Sequence, residues 1–425
     1  MDRKQIYRRC LIVALCMTII GGVAYYIYYM NESLPESIHI LAGEEESFDF
    51  DLPFRGEADL TEVGAINLNQ KLVEGTGIHM DFSRPFTIQA DQIGNMKIAL
   101  RLFGIIPLRE VSVQVVQQQE VIPCGVTVGI YVETDGLLVL GTGEVTGPNG
   151  EILQPAMGIV KSGDYILAAN GTPVSNTREL QKVVKECQDE DLVLDIRRNG
   201  ENSQVKVHTV TDIQGEAKAG IWVRDSTQGI GTLTYLDLRD GYGALGHGIT
   251  DVDTGLLLEI EKGYLYRANV LTITKGIQGT PGELIGVINK AESAKLGMIE
   301  QNTEEGISGT LSEVAVSELW CDPMPVGLRQ DVTPGQAYVR SCVSGEAVDY
   351  EIEIEQIENG RTEDGRGMVI RITDERLLEL TGGIVQGMSG SPIIQDGKLV
   401  GAVTHVFVKD PTRGYGIFME NMLQH

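Results

Sequence analysis

From Cys10 to Met30 the chain carries no charged side chain, and as a helix a run of that length rises far enough to cross the roughly 30 Å hydrocarbon core of a bilayer. Lipid offers no partners for backbone N–H and C=O groups, so a helix is the one local structure such a segment can take there. Arg3, Lys4, Arg8 and Arg9 precede the run, whereas Glu32, Glu36, Glu44, Glu45 and Glu46 follow it before the next basic residue, Arg55. That asymmetry predicts a cytoplasmic N-terminus and a body outside the cytoplasm. Ala24-Tyr25-Tyr26-Ile27-Tyr28-Tyr29 places bulky aromatics where a leader peptidase needs small residues. Residues 1–30 are therefore expected to be a basic tail and an uncleaved transmembrane anchor, its tyrosines at the interface.

The 425 residues are too many for one core and call for two or three domains. With 51 glycines and only 6% aromatics, the composition favours short strands and many turns, a mainly β protein. A formal charge of −26 argues against nucleic acid as a partner. Of the six cysteines, Cys10 and Cys16 fall in the apolar run. Cys124, Cys187, Cys321 and Cys342 show neither CxxC nor metal-ligand spacing, so buried free thiols are expected, with a Cys321–Cys342 disulfide as the alternative. No cofactor or metal is expected.

Chemistry concentrates at Gly387-Met388-Ser389-Gly390-Ser391-Pro392. Glycines around a serine allow a tight turn that presents the hydroxyl and aims amides, those of Gly387 and Ser389, at one point as an oxyanion hole. The alternative is a turn without chemistry. Ile393 to Val403 reads as two strands joined by an Asp396-Gly397 hairpin turn, a rigid support for it. A serine needs a base. Of the six histidines, His247 stands out because Gly246 and Gly248 flank it in a loop where the ring can reach a cleft. His405 reads as an ordinary strand histidine within Val403–Val408. For a carboxylate to orient the imidazole, spacing leaves Asp251, Asp253 and Asp374 open, Asp374 also reading as a helix N-cap.

Along the chain, residues 31–106 read as a small β-rich spacer of unknown role. Residues 107–210 read as one module opening with the strand Val111–Val116. Its Ala156, Gly158, Gly163-Asp164, Ile166-Leu167 and Asn170-Gly171, with a helix from Thr177 to Cys187 capped by Asn176 or Thr177, resemble a PDZ domain. By that resemblance the loop Thr127-Val128-Gly129-Ile130 captures a peptide carboxylate. Residues 211–425 carry glycine-punctuated short strands, expected to form a pair of β-barrels with His247 and Ser389 on opposite sides of a cleft.

The run Thr373-Asp374 with Thr381 to Ile393, then Gly401-Ala402-Val403-Thr404-His405-Val406 and Gly414-Tyr415-Gly416, together with Gly246 to Asp251, resembles the SpoIVB peptidase, the stage IV sporulation serine protease family. The resemblance implies a chymotrypsin-like double-barrel serine endopeptidase with His247, Asp374 and Ser389 as its triad. It further implies a protease acting between the two membranes around a forespore. Its substrate is a membrane regulatory subunit of an intramembrane protease complex, cut so that a pro-sigma factor is processed, and it also cuts itself. An Asp so close before the Ser departs from the usual chymotrypsin-like spacing. A non-catalytic membrane-tethered PDZ adaptor and an HtrA-like quality-control protease are the alternatives, the second placing PDZ after the protease.

Overall fold

The computed structural model describes residues 3–33, 37–48, 54–60, 65–102, 105–239, 241–358 and 366–423. The chain divides between Gln119 and Glu120 into two compact units. The first begins with a single helix, Arg3–Ser33, whose stretch Tyr7–Tyr29 has a mean hydropathy of 2.2, long and apolar enough to cross a membrane. After it come two sheets: five strands ordered Ser37–Leu41, Ile106–Val116, Gly94–Leu102, Phe54–Asp59, Thr76–Asp81, and four ordered Glu45–Phe48, Phe86–Ala90, Ala65–Leu68, Lys71–Glu74. Alternate residues such as Met96, Ile98 and Leu100 turn inward on the core formed by Ile40, Phe86, Ile88 and Val113.

The strand Val111–Val116, expected to open the 107–210 module, belongs to this first unit. Met96 stands opposite Val113 and Ile98 opposite Val111, while Ile40 pairs in parallel with Val115. Val111, Val113 and Val115 are all buried in the spacer's core, which fixes the register and moves the division past residue 106.

Two long strands, Glu120–Thr142 and Ile221–Asp237, organise the second unit. Their outer parts pair from Val121 opposite Asp237 to Glu133 opposite Ser226. Gly241–Ala244, Gly306–Leu311, Lys295–Thr303 and Ile260–Thr274 continue the ladder, and Ile260–Thr274 returns to pair with Val128–Thr134, closing a six-stranded barrel. Past a register shift the same two long strands pair again, Leu138 with Arg224 and Thr142 with Ile221, and there they carry an inserted module. The insertion adds Tyr165–Ala169, Asp191–Arg198 and Glu201–His208 to the sheet and covers it with the helix Thr177–Glu186. Asn176 caps that helix by accepting the Glu179 amide at 3.1 Å, and Leu180 and Val184 face inward. Leu137, Val139, Ile166, Leu194 and Ile196 complete its core.

Thr127-Val128-Gly129-Ile130 is therefore not a carboxylate-capturing loop. These residues form mid-strand backbone paired on both edges, with Thr232-to-Gly229 on one side and Arg267-to-Leu265 opposite Val128-to-Ile130 on the other. Their amides and carbonyls belong to the barrel ladder, and Val128 is fully buried.

The second barrel closes through Gly335–Ser341, Val348–Ile357, Met368–Ile372, Asp410–Phe418, Lys398–Phe407 and Pro392–Gln395. The Asp-Gly hairpin is present: Asp396 (φ 50°) and Gly397 (φ 75°) join Pro392–Gln395 to Lys398–Phe407 with the paired positive φ of a type I′ turn. Val121 and Tyr235 of the first barrel pack with Leu399, Ala402 and Ile417 of the second. The Tyr235 hydroxyl adds a 3.2 Å hydrogen bond to the Met422 carbonyl. The double β-barrel expected from the sequence is thus present. Cys321 and Cys342 are free thiols, the latter accepting the Thr127 amide at 3.0 Å.

Candidate active site

The Ser389 turn is held from both barrels. Thr232, buried on the first barrel's long strand, donates its hydroxyl to the Gly387 carbonyl at 2.7 Å and its amide to the Ser389 carbonyl at 3.0 Å. The Met388 amide donates to Val385 at 3.0 Å and the Gly390 amide to Val403 at 2.7 Å. The peptide units 387–388 and 389–390 are thereby pinned at both ends. The amide of Ser389 lies in the unit between them and that of Gly387 in the unit just before. Gly387 (φ 100°) and Gly390 (φ 93°) supply the backbone turns, and a Cβ on Gly390 would stand 2.2 Å from the Thr232 carbonyl.

That close approach also brings the serine and histidine segments together. The same Cβ would lie 2.5 Å from the Leu245 amide, two residues before His247, and one on Gly246 would lie 3.1 Å from the Thr404 methyl. The Ser389 hydroxyl donates to the Thr404 carbonyl at 2.8 Å, and the ring of the next residue, His405, sits 5.1 Å from that of His247, tilted by 37°. Ser389, His247 and His405 are therefore brought together where the two barrels meet. His405, read from sequence as an ordinary strand histidine, is part of the site's wall.

The His247 Nδ1 lies 2.9 Å from the Gly248 carbonyl. A carbonyl only accepts, so Nδ1 carries the proton and Nε2 keeps its lone pair, the tautomer a general base requires. Desolvation pushes the His247 pKa below its ordinary value, opposed by the Gly248 bond, so the ring is neutral at pH 7. No hydrogen bond joins His247 to Ser389 in this arrangement.

Asp374 is not brought to His247. It caps the helix Glu375–Thr381: Oδ1 accepts the Arg376 amide at 2.9 Å, Oδ2 takes an Arg376 guanidinium nitrogen at 2.7 Å, and the Glu351 amide donates at 3.2 Å. These bonds, Arg376 foremost, hold its pKa down to about 2. The helix it starts ends at Gly382 (φ 74°) and leads through Val385–Gln386 into the serine turn. Asp251, another carboxylate the spacing left open, is also engaged elsewhere. It is buried, its Oδ1 accepts the amides of Asp253 and Thr254, and it pairs with Arg224. Asp253 meets the other arm of Arg224 at 2.7 Å.

A second concavity, a groove of about 540 Å³, lies on the inserted module between the helix Thr177–Glu186 and Ala219–Val223. Leu180, Val184, Ile221 and Trp222 line it, and Trp222 is 67% exposed. Among the described residues Ile221–Arg224 pair with a strand on one edge alone, the Leu138–Thr142 side. Gly220 (φ 63°) begins this edge, and its Cβ would meet the Gly143 carbonyl at 2.9 Å. Ala219-Gly220 ahead of the apolar triplet Ile221-Trp222-Val223 is the sequence signal for this edge, and it lies beyond the expected module boundary at 210.

Among the described residues no cluster of His, Cys, Asp and Glu has metal-site geometry. Residues 215–423 match the family model of SpoIVB peptidase S55. A comparison with curated proteins returns no match. Among solved structures the chain is similar to "Crystal structure of Rv3671c protease, inactive form", at 12% identity over 45% of this chain and 80% of that one, with a TM-score of 0.27.

Proposed function

Residues 215–423 belong to the SpoIVB peptidase S55 family, so the chain is a serine-type peptidase, and from that premise we propose a membrane-anchored endopeptidase whose working pair is Ser389 and His247. The observation that carries this reading is a shared junction: the turn of Ser389, pinned by Thr232 of the first barrel and Val403 of the second, bonds Thr404, and the ring of the next residue, His405, stands 5.1 Å from that of a half-buried, neutral His247. In the reaction the Ser389 hydroxyl turns from the Thr404 carbonyl to His247 Nε2, which takes its proton as Oγ attacks the peptide carbonyl. The Gly387 and Ser389 amides hold the oxyanion, and His247 then returns the proton to the leaving amine. The Gly248 carbonyl sets the tautomer and steadies the charged ring, the work a carboxylate does in a triad. Asp374 supports the reaction indirectly, by starting the helix that feeds the serine turn.

The inserted module acts as a PDZ-like site. An extended segment of the protein substrate adds to the free edge of Ile221–Val223 and lays side chains against Leu180 and Val184. The helix Arg3–Ser33 anchors the chain with its body outside the cytoplasm, supported by the basic residues before it and the acidic ones after. The family's role in sporulation supports a membrane regulatory protein of an intramembrane protease complex as substrate, with self-cleavage as a side reaction. The test is incubation of the full chain, in detergent, with such a candidate membrane protein. Cleavage by the wild type and none by Ser389→Ala is the expected result; equal cleavage by both removes Ser389 from the reaction.

A further inference from the structure

Neighbouring residues of a strand point to opposite faces, and at Arg224-Asp225 the two faces belong to different sites. These residues lie where the strand Ile221–Asp237 passes from the inserted module into the first barrel, just beyond the groove edge Ile221–Val223. Asp225 faces the groove helix: its Oδ2 accepts both the backbone amide and the hydroxyl of Thr177, the helix's first residue, each at 2.8 Å. Arg224 faces the loop that follows His247, its guanidinium spanning Asp251 and Asp253.

That loop is built on Asp251. Besides binding Arg224 and the amides of Asp253 and Thr254, Asp251 closes the turn through its own backbone, with its amide on Leu256 at 2.9 Å and its carbonyl on Gly255 at 2.8 Å. The barrel holds the near side of the loop through Asn302, whose side chain straps Ile249 and Leu258. The far side rests on the inserted module. The Tyr165 hydroxyl takes the Glu259 amide at 3.1 Å, and Arg197 pairs with the Glu259 carboxylate at 2.6 Å. Three residues separate His247 from Asp251, so a shift of Arg224 reaches the imidazole along a short stretch of chain.

We propose that Arg224 is a positioning residue for His247, and that the Arg224-Asp225 pair couples the peptide groove to it, making groove occupancy a control on catalysis as well as on target choice. This rests on the peptidase reading of Ser389 and His247. A segment seated along Ile221–Val223 and against the groove helix presses on both attachments of this dipeptide. Arg suits the position because its planar fork spans two carboxylates, which a Lys ammonium does not.

The experiment measures the rate at which a small fluorophosphonate labels Ser389 in the full chain, in detergent, across pH, with the unfolding midpoint recorded for each variant. The probe is too small to need the groove, so a change in rate reports the catalytic centre. Arg224→Lys is expected to label about tenfold more slowly and to shift the midpoint of the pH profile. Thr177→Val keeps the helix residue's shape and touches nothing near His247, yet it is expected to slow labelling about threefold or more. Thr177→Ser, which keeps the hydroxyl, should restore the rate. Wild-type rates and pH profiles in either Arg224→Lys or Thr177→Val, in folded protein, overturn the coupling. A wild-type chain that is not labelled at all overturns the peptidase reading itself, and the coupling with it.

Discussion

The rings of His247 and His405 stand 5.1 Å apart where the barrels meet, one from the glycine loop of the first barrel and one from the strand Lys398–Phe407 of the second. His405 follows Thr404, whose carbonyl holds the Ser389 hydroxyl. Replacing His247 by Ala should abolish turnover, a loss on the order of 10⁴ or more. His405→Ala should lower it about tenfold by loosening the wall against His247. Rates of probe labelling distinguish the two; a greater loss at His405 would move the base to that residue.

A half-buried, neutral histidine sets the pH profile. Because the His247 pKa lies below its ordinary value of about 6.5, acylation should rise with pH through a midpoint under about 6.5 and be flat around pH 7. Linkage has the same sign. The unfolded chain binds this proton more readily than the folded one, so between about pH 6.5 and the lowered pKa stability falls as pH falls. His247→Gln should abolish that part of the dependence, as urea unfolding at pH 5 and pH 7 would show.

Asp374 separates a cap from an orienter. Asp374→Asn keeps a side-chain oxygen for the Arg376 amide but loses the ion pair, which is largely exposed on the arginine side. The expected cost is about 1 kcal/mol of stability and less than about tenfold in rate. The stabilisation from its lowered pKa is present above the ordinary carboxylate range and is lost as pH falls from about 4 towards about 2. Loss of about 10⁴ in a folded Asp374→Asn protein would instead place this carboxylate on the imidazole.

The reach of sequence reasoning follows from which signals are local. The Ser389 turn, the Asp396-Gly397 hairpin, the Asn176 cap and the glycine-flanked His247 were legible because each depends on residues within a few positions. The anchor-length helix was legible for the same reason. Strand partnership is not local. Thr127–Ile130 has the glycine and β-branched residues of a loop entering a strand, and only its pairing with Ile221–Asp237 and Ile260–Thr274 reveals a barrel interior. Equally, nothing in Arg224 or Thr232 marks them as the residues that grip the His247 loop and the Ser389 turn from afar.

Gly129 tests that corrected placement. A Cβ there would stand 2.6 Å from the Ile288 side chain. Gly129→Asp should therefore destabilise the barrel by about 3 kcal/mol or more, through overpacking and a buried charge. A folded Gly129→Asp protein with a normal unfolding midpoint would contradict the pairing described for this strand.

Thr232 carries the link between the barrels at the reacting centre. Thr232→Val removes the hydroxyl bond to the Gly387 carbonyl while keeping the shape, and it should reduce labelling on the order of tenfold by freeing one side of the oxyanion turn. Circular dichroism should show an unchanged fold. An unaltered rate would mean that the turn is held well enough by its own bonds.

The central claim is that Ser389 is an activated nucleophile with His247 as its base. Its most direct measurement is mass-spectrometric mapping of a fluorophosphonate adduct on the full chain at pH 7. A single adduct on Ser389, absent from Ser389→Ala and from His247→Ala, is the predicted result; no adduct on Ser389, or one that forms equally well in His247→Ala, would contradict it.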